Sequence, residues 1–151
     1  MSTSEVVNEV SAFDAPLHLL LLADPDEVRV RAYLGSCRAF VIGAEPAVGV
    51  MLLRGPEDST CEIVNIAVDP SRVRIGIGAK LVGHAVVQAR AAGASRLVVG
   101  TGETSHGPLA FYQKLGFRMT GRIHGFFDSY VPPVIENGVL CRDMLRLELA
   151  L

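Results

Sequence analysis

The chain is short of cysteine, net charge and long apolar runs, and each shortage removes a class of function. Its three cysteines, Cys37, Cys61 and Cys141, are odd in number, far apart and form no CxxC pair. That pattern supports neither a disulfide framework nor a zinc site, and buried free thiols are the expected state. The formal net charge is −2, with acids and bases interspersed, so no global field draws the molecule to nucleic acid or to an anionic membrane. No stretch of about eighteen apolar residues is present to span a bilayer. The apolar run from His18 to Ala23 is too short and begins too late for a signal peptide, and a cytoplasmic location is expected. No internal repeat is visible.

What remains is a chain of 151 residues, half of them hydrophobic, enough to bury one core without staples. Residues 1–15 read as a flexible polar leader and residues 16–151 as a single domain. His18 to Ala23 suits a short strand, and Asp24-Pro25-Asp26 caps a brief helix that ends near Leu34. Arg38 to Gly43 and Ala47 to Leu53 read as a hairpin whose second arm turns at Gly55-Pro56-Glu57-Asp58. Thr60 to Val68 is a strand on which simple alternation puts Glu62 and Asn65 on opposite faces unless a bulge intervenes. From Gly76 to Ala92, Ile77, Leu81, Val82, Ala85, Val86 and Ala89 form one helical stripe, with Lys80, His84 and Gln88 on the surface. Arg96 to Thr101 is a Val-rich strand parallel to Thr60–Val68, because the helix between them makes a crossover. A short helix begins near Ser105, tolerates Pro108 in its first turn and closes at Gly116. Phe117 starts another strand, a loop-rich segment runs through Val131-Pro132-Pro133, and a last strand lies near Asp143 to Leu149.

Chemistry concentrates in Ile63 to Leu81, IVNIAVDPSRVRIGIGAKL, where an apolar strand runs into a basic, glycine-bearing turn that opens into a helix. Unpaired N–H groups and the macrodipole at a helix start stabilise an anion. Gly76 and Gly78 let a diphosphate approach the main chain, and Arg72 and Arg74 add positive charge. A dinucleotide fingerprint fails, because Leu81 stands where a third glycine or alanine is needed. A Walker loop fails, because Lys80 lies between alanine and leucine. The segment resembles the cofactor loop of the GNAT superfamily of acyl-CoA-dependent N-acyltransferases. A second segment, Leu109 to Phe117, reads LAFYQKLGF and resembles the superfamily's Tyr-x-Lys-x-Gly-Phe signature. The tail from Glu136 to Met144 also resembles small bacterial members of unassigned substrate.

The resemblance implies an α/β (α+β) fold with a mixed central sheet of about seven strands, its central parallel strands splayed apart and helices flanking it. It implies acetyl-CoA as acyl donor, with no metal. The pantetheine arm falls to the main chain of Ile66, Ala67 and Val68, and the pyrophosphate to the amides of Val73, Arg74, Ile75, Gly76, Ile77 and Gly78. Ala79, Ser105, Tyr112 and Lys114 complete the expected cofactor contacts. Two departures stand out: Val73 occupies a place where the superfamily prefers Gln or Arg, and an asparagine often found upstream of the tyrosine is absent, with Glu103 and Ser105 nearby instead.

An amine attacks a thioester only when neutral, so a site must accept a proton, stabilise the oxyanion and protonate the departing thiolate. The resemblance assigns Tyr112 to the thiolate and the N–H of Val68, or of Ala67, to the oxyanion. Glu62 is the expected base, and it reads equally well as a solvated strand carboxylate. His124, Phe127 and Tyr130 are the expected acceptor contacts; the same segment reads alternatively as an aromatic patch against the sheet or a dimer partner. Cys61 and Cys141 have no evident activating partner, which disfavours an acetyl-cysteine route. The expectation is an N-acetyltransferase that passes acetyl directly to a small-molecule or peptide amine in a ternary complex, compatible with a homodimer. A non-catalytic acyl-CoA-binding module stays open as the alternative.

Overall fold

The computed structural model describes residues 6–43, 45–72 and 76–151. In chain order the described elements are β1 (Val7–Val10), α1 (Leu17–Ala23), α2 (Glu27–Leu34), β2 (Arg38–Ile42), β3 (Gly49–Glu57), β4 (Thr60–Val68), α3 (Ile77–Ala91), β5 (Arg96–Gly102), α4 (His106–Lys114), β6 (Arg118–Ile123), β7 (Ile135–Glu136), β8 (Val139–Leu140) and β9 (Met144–Ala150). Seven strands make one mixed sheet in the order β1-β2-β3-β4-β5-β9-β6, and β7 with β8 forms a separate two-stranded hairpin. Among the described residues only β4 and β5 pair in parallel, as the α3 crossover requires. Among the described residues no helix is long and apolar enough to cross a membrane.

Two apolar clusters sandwich this sheet. On one face Ile77, Leu81, Val82, Ala85 and Ala89 of α3 pack with Phe40, Met51, Ile63, Leu97 and Tyr112. On the other, Leu19 and Leu20 of α1 and Val30 and Leu34 of α2 pack with Val41, Val50, Leu52 and Ala67. The stripe expected on α3 is therefore the stripe that is buried, with His84 half-buried rather than solvated, its ring meeting Phe40 edge-on at 4.9 Å between centroids.

Several expectations need correction. Val7–Val10, placed in the leader, is a strand that pairs with Ala39–Ile42 of β2; its polar reading, VNEV, arises because an edge strand keeps much of its surface in water. His18 to Ala23 is helical, within α1, since a short apolar run carries no periodicity to separate the two forms. Leu19 and Leu20 turn inward while Leu22 remains exposed. β3 continues through Gly55 and Pro56, with an irregular register between Arg54 and Glu57, and the chain reverses instead at Asp58 and Ser59, with φ of 50° and 60°. Consecutive positive φ values suit a tight hairpin turn. The segment after β6 contains the β7–β8 hairpin, turning at Asn137 and Gly138 with φ of 55° and 75°.

Candidate active site

The site begins with an irregularity in β4. Leu52 of β3 pairs with Asn65 while Leu53 pairs with Ile63, so Val64 is an unmatched extra residue. A bulge of this kind reverses the alternation beyond it. Cys61, Ile63, Ile66 and Val68 accordingly meet the α3 side, while Val64 and Ala67 meet the α1–α2 side. The parallel pairing of β4 with β5 runs from Thr60↔Arg96 only to Ile63↔Val99. Past that point the strands part, and the β5-facing edge of Asn65 to Val68 has no strand neighbour among the described residues.

A cavity of about 990 Å³ occupies this opening and is lined from both faces of the sheet, by Ile63, Ile66, Val99 and Tyr112 and by Glu62, Asn65, Gly100 and Gly102. It passes between the strands rather than lying on one side. Gly100 and Gly102 keep the floor of β5 low: a Cβ on Gly102 would stand 2.7 Å from Cys141 Sγ and 3.1 Å from Ser105 Oγ, and one on Gly100 would collide with Met144 Sδ.

Tyr112 reaches the cavity from α4. Only 5% of it is exposed, and its ring packs edge-on against Phe111 and Phe117. Burial pushes the phenol well above its ordinary pKa, so it is a neutral hydroxyl at neutral pH. At the start of α3, Gly76 sits in the left-handed region at φ 79°, where a side chain is disfavoured. A Cβ there would meet nothing within 4 Å, whereas one on Gly78 would lie 3.4 Å from the Phe111 ring. The N–H groups of Ile77, Gly78 and Ala79 open the helix and have no intrahelical acceptor. Val73, Arg74 and Ile75, expected at this turn, lie outside the described residues. Open amides at a helix start, a bare strand edge and a protonated phenol at the splay fit a nucleotide-linked thioester such as acetyl-CoA. Ser105 lines the cavity; Lys114 is exposed at the end of α4 and does not line it.

The α1–α2 side carries a polar network that sequence reasoning missed. Tyr33 Oη donates to Asp24 Oδ2 and Tyr130 Oη to Asp24 Oδ1, both at 3.0 Å. Burial first, and the neighbouring Asp24 carboxylate with it, raise both phenols. Asn65 Nδ2 donates to Tyr33 Oη and to the Leu20 carbonyl, each at 3.0 Å. The Arg29 guanidinium lies 4.6 Å from the Tyr130 ring centroid and 5.5 Å from that of Phe126. Phe127 and Tyr130, singled out in the sequence, line the cavity. His124 does not: its exposed ring lies 3.4 Å from Asp143 Oδ2, beside a separate shallow pocket with Glu103, Asp128 and Arg142.

Glu62 lies between two arginines, its Oε1 taking Arg54 Nη2 at 2.9 Å and its Oε2 taking Arg146 Nη1 at 3.1 Å. A second carboxylate, Glu136 of β7, also lines the cavity and accepts from Ser105 Oγ at 2.7 Å. Asn137 Nδ2 ties the same hairpin to the Thr104 carbonyl at 3.0 Å. The Asn-Gly pair after Glu136 signals a tight turn, the one local clue to a residue that long-range folding brings to the site. Among the described residues no cluster of His, Cys, Asp or Glu is arranged to hold a metal.

With this geometry in place, comparison with known proteins gives a consistent result. The Acetyltransferase (GNAT) family model matches residues 11–117. The uncharacterized N-acetyltransferase YvbK of Bacillus subtilis (strain 168) is 45% identical over 136 residues, 88% of this chain and 87% of that protein. An IAA acetyltransferase from Bacillus cereus ATCC 14579 superposes with a TM-score of 0.91 at 41% identity, covering 97% of this chain and 99% of that one. A GNAT family acetyltransferase from Elizabethkingia anophelis with acetyl-CoA bound gives a TM-score of 0.91 at 36% identity, covering 97% of each chain.

Proposed function

The chain belongs to the GNAT acetyltransferase family and is an acyltransferase, and from that premise we propose that it transfers acetyl from acetyl-CoA directly to a primary amine, both bound at once. The observation that carries this reading is the cavity where β4 and β5 part, with Tyr112, its phenol pushed up by burial, in its wall. A cavity lined from both faces of the sheet can hold the donor on the α3 side and an acceptor on the α1–α2 side, so neither need leave before the other arrives.

Acetyl-CoA supplies the acetyl group activated as a thioester. The α3 amides of Gly76, Ile77 and Gly78 hold negative charge at the turn, and the free edge of Ile66, Ala67 and Val68 offers main-chain hydrogen bonds for an extended arm. The N–H of Val68 or Ala67 donates to the acyl oxygen as charge develops there. Tyr112 Oη gives its proton to the departing sulfur. Glu62, on the acceptor side, takes the proton that the amine must lose to become a nucleophile. Phe127 and Tyr130 form the aromatic wall beside a small-molecule or peptide acceptor.

Calorimetry with acetyl-CoA, paired with a thiol-release assay over a panel of primary amines, tests this function. Saturable binding with amine-dependent thiol release is the expected result. Binding without release for any amine would replace the transferase reading with an acyl-CoA-binding role.

A further inference from the structure

We propose that the acceptor of this reaction carries an anionic group, a carboxylate or phosphate, close to its amine, and that Arg54 and Arg146 bind that anion. The inference rests on the transferase reading above and names the substrate class for the same site.

The argument is one of charge and donor count. Arg54 and Arg146 each give a single nitrogen to Glu62. A guanidinium has five N–H donors in a planar fork, and the remaining donors of both side chains find no acceptor among the described residues. Both line the cavity, and their side chains are 42% and 30% exposed against 26% for Glu62, so a ligand can reach them. Two cations sharing one anion leave this patch with a net positive charge.

The cavity's other charged groups, Arg29, Asp24 and Glu136, have hydrogen-bond or ion-pair partners of their own. Arg29 is matched by Asp26 at 3.3 Å and by Ser129. Asp24 is occupied by the Tyr33 and Tyr130 hydroxyls and the Asp26 amide. Glu136 is held by Ser105 on the β7–β8 hairpin. An uncharged amine would cover the Arg54–Glu62–Arg146 triad and leave the excess charge desolvated and unpaired, which is costly. An anion beside the amine removes the imbalance and meets two planar forks suited to carboxylate or phosphate oxygens. The alternation Arg-Glu-Arg matches such a molecule group for group: its amine faces Glu62 and its anion faces the flanking guanidinium groups.

The test uses matched amines with acetyl-CoA and the full chain: β-alanine against ethylamine, and O-phosphoethanolamine against ethanolamine. The expected result is a kcat/KM at least about tenfold higher for an anionic member than for its neutral partner, the better anion showing whether carboxylate or phosphate is read. In Arg54→Gln and Arg146→Gln that ratio should collapse toward one, through KM. Equal or faster turnover of the neutral partners, or a ratio unchanged in both variants, overturns the proposal while leaving the transferase function standing. Should none of the four amines turn over, calorimetry of the same compounds with the enzyme–CoA complex decides: arginine-dependent binding of an anionic member supports the proposal, and absence of binding overturns it. Failure of acetyl-CoA itself to bind removes the underlying function as well.

Discussion

Glu62 and Asn65 stand three positions apart on β4 yet face the same side of the sheet, because Val64 between them has no counterpart on β3. The bulge does two things at one place. It swings Asn65 under α1 and α2, where it ties the Leu20 carbonyl to Tyr33, and it coincides with the end of β4–β5 pairing at Ile63↔Val99. The opening of the sheet and the polar network on the α1–α2 side meet at this bulge. Replacing Asn65 with Ala removes both donors from a residue only 4% exposed. The expected cost is about 1–3 kcal/mol of stability, read from urea or thermal denaturation. A change within error would mean that water replaces the amide freely.

Tyr112→Phe deletes one oxygen and keeps the packing with Phe111 and Phe117. Turnover is expected to fall by about 10²-fold, while acetyl-CoA affinity by calorimetry stays close to that of the native protein. Wild-type turnover with every acceptor would remove the phenol from the mechanism.

Gly78→Ala and Gly83→Ala separate binding from folding on one helix. A Cβ at Gly78 lies at an ordinary 3.4 Å from Phe111 and one at Gly83 meets nothing within 4 Å, so both variants fold. Alanine at the exposed Gly83 raises stability by about 0.5–1 kcal/mol without altering acetyl-CoA affinity. Alanine at Gly78 weakens acetyl-CoA binding by placing a methyl where a diphosphate must approach. Equal affinities for the two variants would place the diphosphate elsewhere.

Glu62→Gln preserves shape but cannot take up a proton at neutral pH. A fall in kcat of about 10²-fold is expected. A small effect, together with a large one for Glu136→Gln, would transfer the proton-accepting role to the carboxylate beside Ser105.

Asp143 anchors the chain after β6. Its carboxylate accepts from the Gly125 amide and from Arg122 Nη1, both at 2.8 Å, and these bonds hold its pKa down at about 2. A carboxyl depressed in the folded state stabilises it above the unfolded pKa of about 4, and that contribution is lost as pH falls toward the folded value. Protection of the Gly125 amide, its exchange measured relative to the intrinsic rate at each pH, is therefore expected to fall between about pH 4 and pH 2. Asp143→Asn should show the lower protection at neutral pH and little further change with acid.

The parts legible in the sequence were those whose signals are local. β4 has the bounds expected of it, α3 buries its expected stripe, and Tyr112, picked out by its motif, lines the cavity. α1 was read as a strand because a run of five apolar residues, Leu19 to Ala23, has no period, and only packing of Leu19 and Leu20 against the sheet decides their form. β1 was invisible because its polar strand is defined by a partner some thirty positions later, Ala39 to Ile42. The bulge depends on counting β4 against β3, which needs the register itself. Arg54, Arg146, Tyr33, Asp24 and Glu136 come from five separate elements or their ends and meet only after folding. His124 looked like an acceptor contact from its aromatic neighbours, yet the turn that begins at Gly125 sends those rings inward and leaves the imidazole beside Asp143.

One ring stands between two helices. Phe111 faces the first turn of α3, where a Cβ on Gly78 would lie 3.4 Å from it, and lies 5.1 Å, centroid to centroid, from Tyr112. It works as a gauge block, setting the spacing between Tyr112 on α4 and the opening turn of α3. Under the reaction proposed above, trimming Phe111 would loosen the tolerance at both stations together.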